Sequence, residues 1–330
     1  MDYHVKSSGK VLVHCHAGLG RTGLMVACYL VFSQRLRANA AVELVRRSRV
    51  GSIQTTSQVQ FVNDFEQHLV KLFQTFRVEI SDEPLTLETF MKRQGAVQHV
   101  DTWTHHRYLP RHLHLLLCRA LALVKSNTNL ARNVLEALSP TTSTQQRSLL
   151  AALRLDANDG RLNYSVMDVD TAVRLAMDWL RNLSEPVLLL HDADSWVSYI
   201  RCLKPQSLKD FLDASLSKFK RHLIGMMFSF LHVVAVSAGV TIISRPHLMQ
   251  ALQMVVDTLM HTHEQGKVLQ SPVERSHVFC FAERWLEEVQ ATYFSVSGSG
   301  TKSSSLRIIS AIGEASAKLI QPDVRDVIDM

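Results

Sequence analysis

The sequence predicts an α/β fragment, a partial sheet with helices, followed by an all-α domain. Three observations lead there. A short apolar run rich in β-branched residues, Val11-Leu12-Val13, stands directly before a glycine-punctuated loop and a long apolar helical pattern, Leu24 to Phe32. After residue 144 nearly every segment carries apolar residues at helical spacing. Between the two parts, Ser139-Pro140-Thr141-Thr142-Ser143-Thr144 is a polar stretch of the kind that separates folded units. The division that follows is 1–76 for the α/β part, 77–138 for a helical extension, 139–147 for a linker, 148–294 for a helical domain, and 295–330 for a Ser/Gly-rich segment with a terminal helix.

Taken in order, residues 11–14 are expected as a buried strand and 21–34 as the helix behind the loop. A second helix over 38–48 places Ala40, Ala41, Leu44 and Val45 on its apolar face, and a third over 56–76 aligns Val59, Val62, Phe65, Leu69, Leu72 and Phe73. Glu83-Pro84-Leu85-Thr86 opens the next helix, 95–110 is irregular and rich in His, Arg and aromatics, and 111–125 is helical. Val169 to Leu183 is a strong amphipathic helix that Ser184-Glu185-Pro186 ends. Helical patterns continue over 207–222, 223–238, 246–263 and 272–294, and a last one covers 306–320.

Composition bounds the function. The chain has 330 residues, of which 46% are hydrophobic, which is ample for packed cores and typical of a soluble globular protein. A net charge of +6 with sixteen histidines suits anionic partners. No basic run is interleaved with stacking aromatics, so nucleic acid is not an expected partner. Five cysteines at irregular spacing argue for a reducing compartment and against a disulfide framework, and Met1-Asp2-Tyr3-His4 lacks the order of a signal peptide. Leu223 to Ile243 has the length of a bilayer span and no acidic or basic residue, but Ser229, His232, Ser237, Gly239 and Thr241 dilute it. A buried core helix is expected there rather than a membrane span.

The chemistry is concentrated in His14-Cys15-His16-Ala17-Gly18-Leu19-Gly20-Arg21-Thr22-Gly23. A tight loop between a strand and a helix turns successive backbone N–H groups inward and adds the positive end of the helix dipole, which suits a phosphate dianion. Gly18 and Gly20 permit the dihedrals and the close approach such a loop needs. Arg21 supplies a fixed, charged fork for two phosphate oxygens. The N–H groups, the dipole and Arg21 together favour the thiolate of Cys15, a nucleophile for phosphoryl transfer through a cysteinyl-phosphate. Thr22 is placed to donate its hydroxyl to the sulfur, and His14 to orient the loop. His16, Ala17, Gly18, Leu19, Gly20 and Arg21 form the phosphate cradle. No cofactor and no metal are called for. His105-His106, His112-x-His114 and His261-x-His263 lack metal-ligand spacing and are expected as exposed or interfacial histidines, and the acidic loop Asp156 to Asp170 lacks the glycine and glutamate of a calcium loop.

This Cys-x5-Arg loop resembles that of the protein tyrosine phosphatase superfamily. Ser52-Ile53-Gln54-Thr55-Thr56-Ser57-Gln58 resembles the glutamine loop of such enzymes, in which an amide positions the hydrolytic water. Gln54 and Gln58 are the matching positions, and Gln54 matches better. The order of these features, with Ala27-Cys28-Tyr29-Leu30-Val31 and Arg46-Arg47 between them, is most similar to the family of protein tyrosine phosphatase domain-containing protein 1, a relative of the dual-specificity and Cdc14-like phosphatases. Residues 1–76 would then be the C-terminal part of the catalytic domain, an α/β phosphatase fragment. The family uses an aspartate on an upstream loop as general acid. Asp2-Tyr3-His4-Val5 resembles the tail of that loop, which makes Asp2 the matching acid. The helix expected between it and the cysteine strand is absent, because Lys6 to Lys10 leads straight into the strand, so the sequence reads as an N-terminally incomplete form, by truncation or by loss of an internal segment. Asp178 to Leu188 resembles a helix-to-turn signature of Rho GTPase-activating domains, without their arginine-finger loop, so the helical domain is expected as a distantly similar interaction domain for a protein partner.

Two functions follow. One is a cysteine-dependent phosphatase acting on phosphotyrosine or phosphoserine/threonine in proteins. The other is a pseudophosphatase or scaffold that binds phosphorylated partners without turnover. The resemblance also implies a cytoplasmic protein of the centrosome or cilium base.

Overall fold

The computed structural model describes residues 1–6, 8–77, 84–97, 107–139, 143–188, 216–238 and 245–260. Eleven α-helices follow one another in these residues: α1 Asp2–Lys6, α2 Gly20–Gln34, α3 Ala38–Ser48, α4 Thr56–Phe73, α5 Leu87–Val97, α6 Arg111–Ser126, α7 Ala131–Leu138, α8 Thr144–Asn158, α9 Val169–Arg181, α10 Lys218–Ala238 and α11 Arg245–Leu259. The expected helical patterns over 272–294 and 306–320, the Ser/Gly-rich segment from 295, residues 207–215 and part of the polar linker (140–142) lie outside the described residues.

The expected partial sheet is not there. Among the described residues no strand forms, and 11–14 has no regular secondary structure. Leu12 is 86% exposed and Val11 36%, where a buried strand was expected. The apolar run has strand propensity. A strand, however, is held by ladder hydrogen bonds and cross-strand contacts, and no described segment lies alongside to supply them.

Helices α2, α3 and α4 pack on one another around Ala27, Cys28, Val31, Ala38, Ala41, Val42, Val45, Ile53, Val62 and Leu69. On α3 the buried face is Ala38, Ala41, Val42 and Val45, an i, i+3, i+4, i+7 stripe, whereas Ala40 and Leu44 of the expected face are exposed. Side chains close the helix ends. Glu66 of α4 accepts the Ala38 N–H at 2.9 Å and so caps α3. Thr55 and Gln58 form a reciprocal capping box that starts α4. Helix α2 ends at Arg35, which takes a left-handed conformation (φ 55°) and lays its guanidinium over the Phe73 ring, 3.1 Å from the centroid.

From Phe76 to Met260 the buried residues form a second core, with Trp179 fully buried at its centre and edge-on to Phe90. Residues 74–77 dock onto it. The Thr75 and Phe76 N–H groups both donate to Asn158 Oδ1 at 2.8 and 2.7 Å, Asn158 Nδ2 donates to the Phe76 carbonyl at 3.2 Å, and Trp179 Nε1 donates to the Thr75 carbonyl at 2.9 Å. Backbone that enters a core without helix or ladder needs such partners, since an unpaired buried amide is destabilising by about 1–3 kcal/mol. Leu85 and Ser184 are joined in the same way, by Leu85 N–H to Ser184 Oγ and Ser184 N–H to the Leu85 carbonyl.

Helix α10 runs unbroken through the boundary expected near residue 223. Over Lys218–Ser237 it is long and apolar enough to cross a membrane by length and composition, and 56% of that span is buried inside the fold. It packs against α6, α7 and α11.

Candidate active site

Residues 14–19 run as non-helical chain into the first turn of α2. The turn is made at Gly18, whose φ of 75° lies in the left-handed region that a β-carbon disfavours. That turn aims the Gly18 N–H at Cys15 Sγ, 3.1 Å away. The Leu19 carbonyl accepts from Gly23 N, which opens α2, and from Ile53 N at 3.4 Å, which ties the loop to residues 52–58. Thr22 is buried beneath the loop.

These contacts act on the thiol. Cys15 is lowered from its ordinary value near 9 to about 7, first by the Thr22 side chain, then by the Thr22 and Gly18 N–H groups, with the Arg21 charge adding last. The Thr22 hydroxyl makes no hydrogen bond of normal geometry. With these contacts, the thiolate of Cys15 is more populated near neutral pH than that of an ordinary cysteine. Cys28, buried behind the loop on α2, is pushed the other way by desolvation. The two thiols sit thirteen positions apart in sequence and only Cys15 is prepared as a nucleophile.

The second loop is held under strain. Ile53 is fully buried at φ 54°, a conformation that costs a β-branched residue about 1–3 kcal/mol. The Arg46 guanidinium holds it there, with Nε donating to the Ser52 carbonyl at 3.3 Å and Nη2 to the Ile53 carbonyl at 2.7 Å. Gly23 lets α2 approach this turn, for a β-carbon there would lie 2.9 Å from Ser52 Cβ. The side chain of Gln54 is exposed. The amide of Gln58 lies against Gly20, where a β-carbon would come within 2.7 Å of Nε2. Gln58 is thus the glutamine in contact with the phosphate loop.

Among the expected site residues, Cys15, Gly18, Leu19, Gly20 and Thr22 are brought together, and Arg21 lies on the first turn of α2 with its side chain in solvent. His14, His16 and Ala17 are exposed. Asp2 opens α1. Sequence reasoning quoted Arg46 and Ile53 only as part of the resemblance, without a role, and did not name Arg49. Their signal is the spacing of Arg46 and Arg49 at the end of α3, just before the second loop.

The histidines expected at surfaces or interfaces divide. His112 and His114 are each only 4% exposed, and His112 Nδ1 bonds the Tyr164 hydroxyl at 2.9 Å. His105-His106 and His261-x-His263 lie outside the described residues. In the acidic loop, Asp159 pairs with Arg161, Asp168 caps α9 and Asp170 pairs with Arg174. Among the described residues no group of three metal-ligating side chains occurs.

Residues 2–68 match the family described as dual specificity phosphatase, catalytic domain. Over 147 residues the chain is 37% identical to a zebrafish (Danio rerio) protein named protein tyrosine phosphatase domain-containing protein 1, which covers 44% of this chain and 21% of the relative. The protein of that name from cattle (Bos taurus) is 31% identical over 220 residues, 64% of this chain and 27% of the relative. A second zebrafish protein, dual specificity protein phosphatase CDC14AB, is 49% identical over 47 residues, 14% of this chain and 8% of that protein. The chain thus spans about a fifth to a quarter of the length of the first two relatives. No solved structure matches. With a thiol lowered by its own loop, a glycine turn and a buried threonine in the matched segment, residues 2–68 are similar to the dual specificity phosphatase catalytic domain, and the chain is similar to the proteins named protein tyrosine phosphatase domain-containing protein 1.

Proposed function

We propose that the chain is a cysteine-dependent protein phosphatase whose loop, residues 14–22, takes the phosphate of a phosphorylated protein. The observation that carries this reading is the Cys15 sulfur, held by the Gly18 N–H and lowered to about 7. The thiolate attacks phosphorus; an S–P bond forms, the P–O bond to the substrate breaks, and the leaving oxygen takes a proton. Water then attacks the phosphorus of the cysteinyl-phosphate, the S–P bond breaks, the thiolate returns and inorganic phosphate leaves. Thr22 stabilises the departing sulfur, Arg21 clamps the phosphoryl oxygens, and Gln54 or Gln58 orients the water. Asp2 is the acid only by the resemblance of residues 2–5 to the tail of the family's acid loop. Phosphotyrosine and phosphoserine/threonine both fall within the proposal. Action in the cytoplasm, at the centrosome or cilium base, rests on the resemblance alone.

A second reading is favoured by the setting of Asp2, which opens the short helix α1 where the resemblance implies an acid on a loop. A cup without a positioned acid binds phosphorylated partners but forgoes about 10²–10⁴-fold in rate. The helical half would then recruit further partners. Turnover of an aryl phosphate separates the two readings. A phosphatase gives a rate that Cys15→Ser abolishes and Asp2→Asn lowers about 100-fold or more. A binding module gives a rate equal to that of Cys15→Ser while vanadate still protects Cys15 from alkylation. Unprotected Cys15, alkylating no faster than an ordinary thiol, sinks both.

A further inference from the structure

Two hydroxyls at the base of the phosphate loop take no part in bonding the fold. Ser52 is 2% exposed and Thr22 5%, and among the described residues neither Oγ has a hydrogen-bond partner. An unpaired buried hydroxyl is destabilising, so a fold that keeps two of them side by side has a use for them. They stand on the two sides of one contact. Thr22 precedes Gly23 on α2, and a β-carbon on Gly23 would lie 2.9 Å from Ser52 Cβ. Adjacent α-carbons are about 3.8 Å apart, so a side chain packed on Gly23 is one residue away from Thr22. The Leu19 carbonyl, which accepts from both Gly23 N and Ile53 N, closes this contact. The rest of Ser52 is committed. Its N–H donates to the Arg49 carbonyl at 3.2 Å, and its carbonyl accepts from Arg46 Nε at 3.3 Å. The strained Ile53 next to it is held by the same guanidinium. Only the hydroxyl of Ser52 is spare, and it stands on a rigid support.

From this juxtaposition we infer that Ser52 is a positioning residue for the nucleophile: when charge develops on the Cys15 sulfur, the Ser52 hydroxyl donates to Thr22 Oγ1 and the Thr22 hydroxyl donates to the sulfur. This rests on the proposed phosphatase chemistry. A hydroxyl has one proton to give and two lone pairs to accept with, so Thr22 serves both bonds at once. The chain forms by rotation of two small side chains, a motion of picoseconds to nanoseconds, and no proton is transferred along it. Both bonds point the same way in a buried site, so each strengthens the other. Charge appears on the sulfur twice, in the free thiolate and again when water displaces it from phosphorus. Ser52 thus acts on the readiness of the nucleophile and on its departure without touching substrate. Size alone does not call for serine here. Alanine would meet the same contact with Gly23 and leave no hydroxyl unpaired.

The test compares the full chain with Ser52→Ala, Thr22→Val and the double variant. The pH dependence of iodoacetamide alkylation is read at the Cys15 peptide by mass spectrometry, with thermal unfolding alongside. Ser52→Ala is expected to raise the midpoint by about half a pH unit, which is about a threefold change in the protonation equilibrium. It leaves the thermal midpoint unchanged or higher, because the hydroxyl it removes has no partner in the fold. Thr22→Val raises the alkylation midpoint further. Adding Ser52→Ala to Thr22→Val then changes nothing more, since Ser52 acts through Thr22. During turnover of an aryl phosphate, acid-trapped cysteinyl-phosphate accumulates in Ser52→Ala, as a poorer leaving thiolate requires, and no accumulation overturns the part of Ser52 in departure. An alkylation midpoint in Ser52→Ala equal to the parent's, or a shift of the same size with and without the Thr22 hydroxyl, overturns the role of Ser52 and leaves the phosphate site standing. A large fall in the thermal midpoint of Ser52→Ala does the same, for it makes the hydroxyl a part of the fold. A parent Cys15 that alkylates like an ordinary thiol overturns both.

Discussion

Thr22 does more to the Cys15 sulfur than Arg21 does, although only Arg21 carries a charge. The reason is distance and solvent. Thr22 is buried next to the loop, whereas the guanidinium sits in water, where a unit charge is strongly screened. Sequence reasoning credited the arginine, the dipole and the inward amides, because a charge is visible in a sequence and a solvent-facing rotamer is not. Alkylation of Cys15 by iodoacetamide is expected to rise with pH through a midpoint near 7, since deprotonation of the thiol creates the reactive form. Thr22→Val, close in shape but without the hydroxyl, moves that midpoint upward more than Arg21→Gln does. The reverse order would show that charge, not contact, prepares the thiol.

At the scale of elements, the segment Val11–His14 shows what a short apolar run is and is not. Its β-branched residues and its position before the loop both predict a strand, yet it is an exposed stretch without regular secondary structure. Strand identity belongs to a pair of segments, while helix identity belongs to one segment, because helix hydrogen bonds close within the segment itself. This is why α2, α3, α4, α6 and α9 lie close to where the periodicity puts them while the strand does not. Leu12→Ser is expected to change unfolding free energy by less than about 0.5 kcal/mol, as at an ordinary surface position. A leucine buried in a sheet would lose several-fold more on such truncation, about 2–5 kcal/mol for change to alanine. A drop in thermal midpoint on that larger scale would show that the run is buried after all.

Across the whole molecule, two cores meet at residues 74–77, and the larger one holds a histidine that fixes its response to acid. His112 is enclosed by Phe76, Trp179 and Tyr164, and burial lowers it from 6.5 to about 3. Its hydrogen-bond partner Tyr164 is pushed up to about 12, so both groups are neutral in the fold. Between pH 3 and 6.5 the unfolded chain binds a proton at this position that the folded chain does not. Stability therefore falls as pH drops through that window, by about 1.4 kcal/mol per pH unit from this group, and His112 contributes no slope above it. His222 and His232 are lowered as well and add to the slope. Urea unfolding at pH 7.5, 6 and 5 is expected to show this loss, and His112→Phe to show a shallower one. An unchanged slope in that variant would place the acid sensitivity elsewhere.

The sequence by itself determined the residues of the loop and the places of α2, α3, α4, α6 and α9. Cys15, Gly18, Arg21 and Thr22 stand within eight consecutive residues, and a loop that short brings its own residues together whatever surrounds it. The tertiary structure decided everything that depends on residues distant in the chain. It set Gln58 rather than Gln54 against Gly20, latched Ile53 to the Leu19 carbonyl, and brought Arg49 over Gly18. It also left Val11 to His14 without regular secondary structure and turned His112 and His114 from expected surface or interface groups into core ones. The physical reason is common to all of these. Local spacing encodes bonds that close within a few residues, whereas pairing, burial and approach across a gap are settled only by which segments share a core.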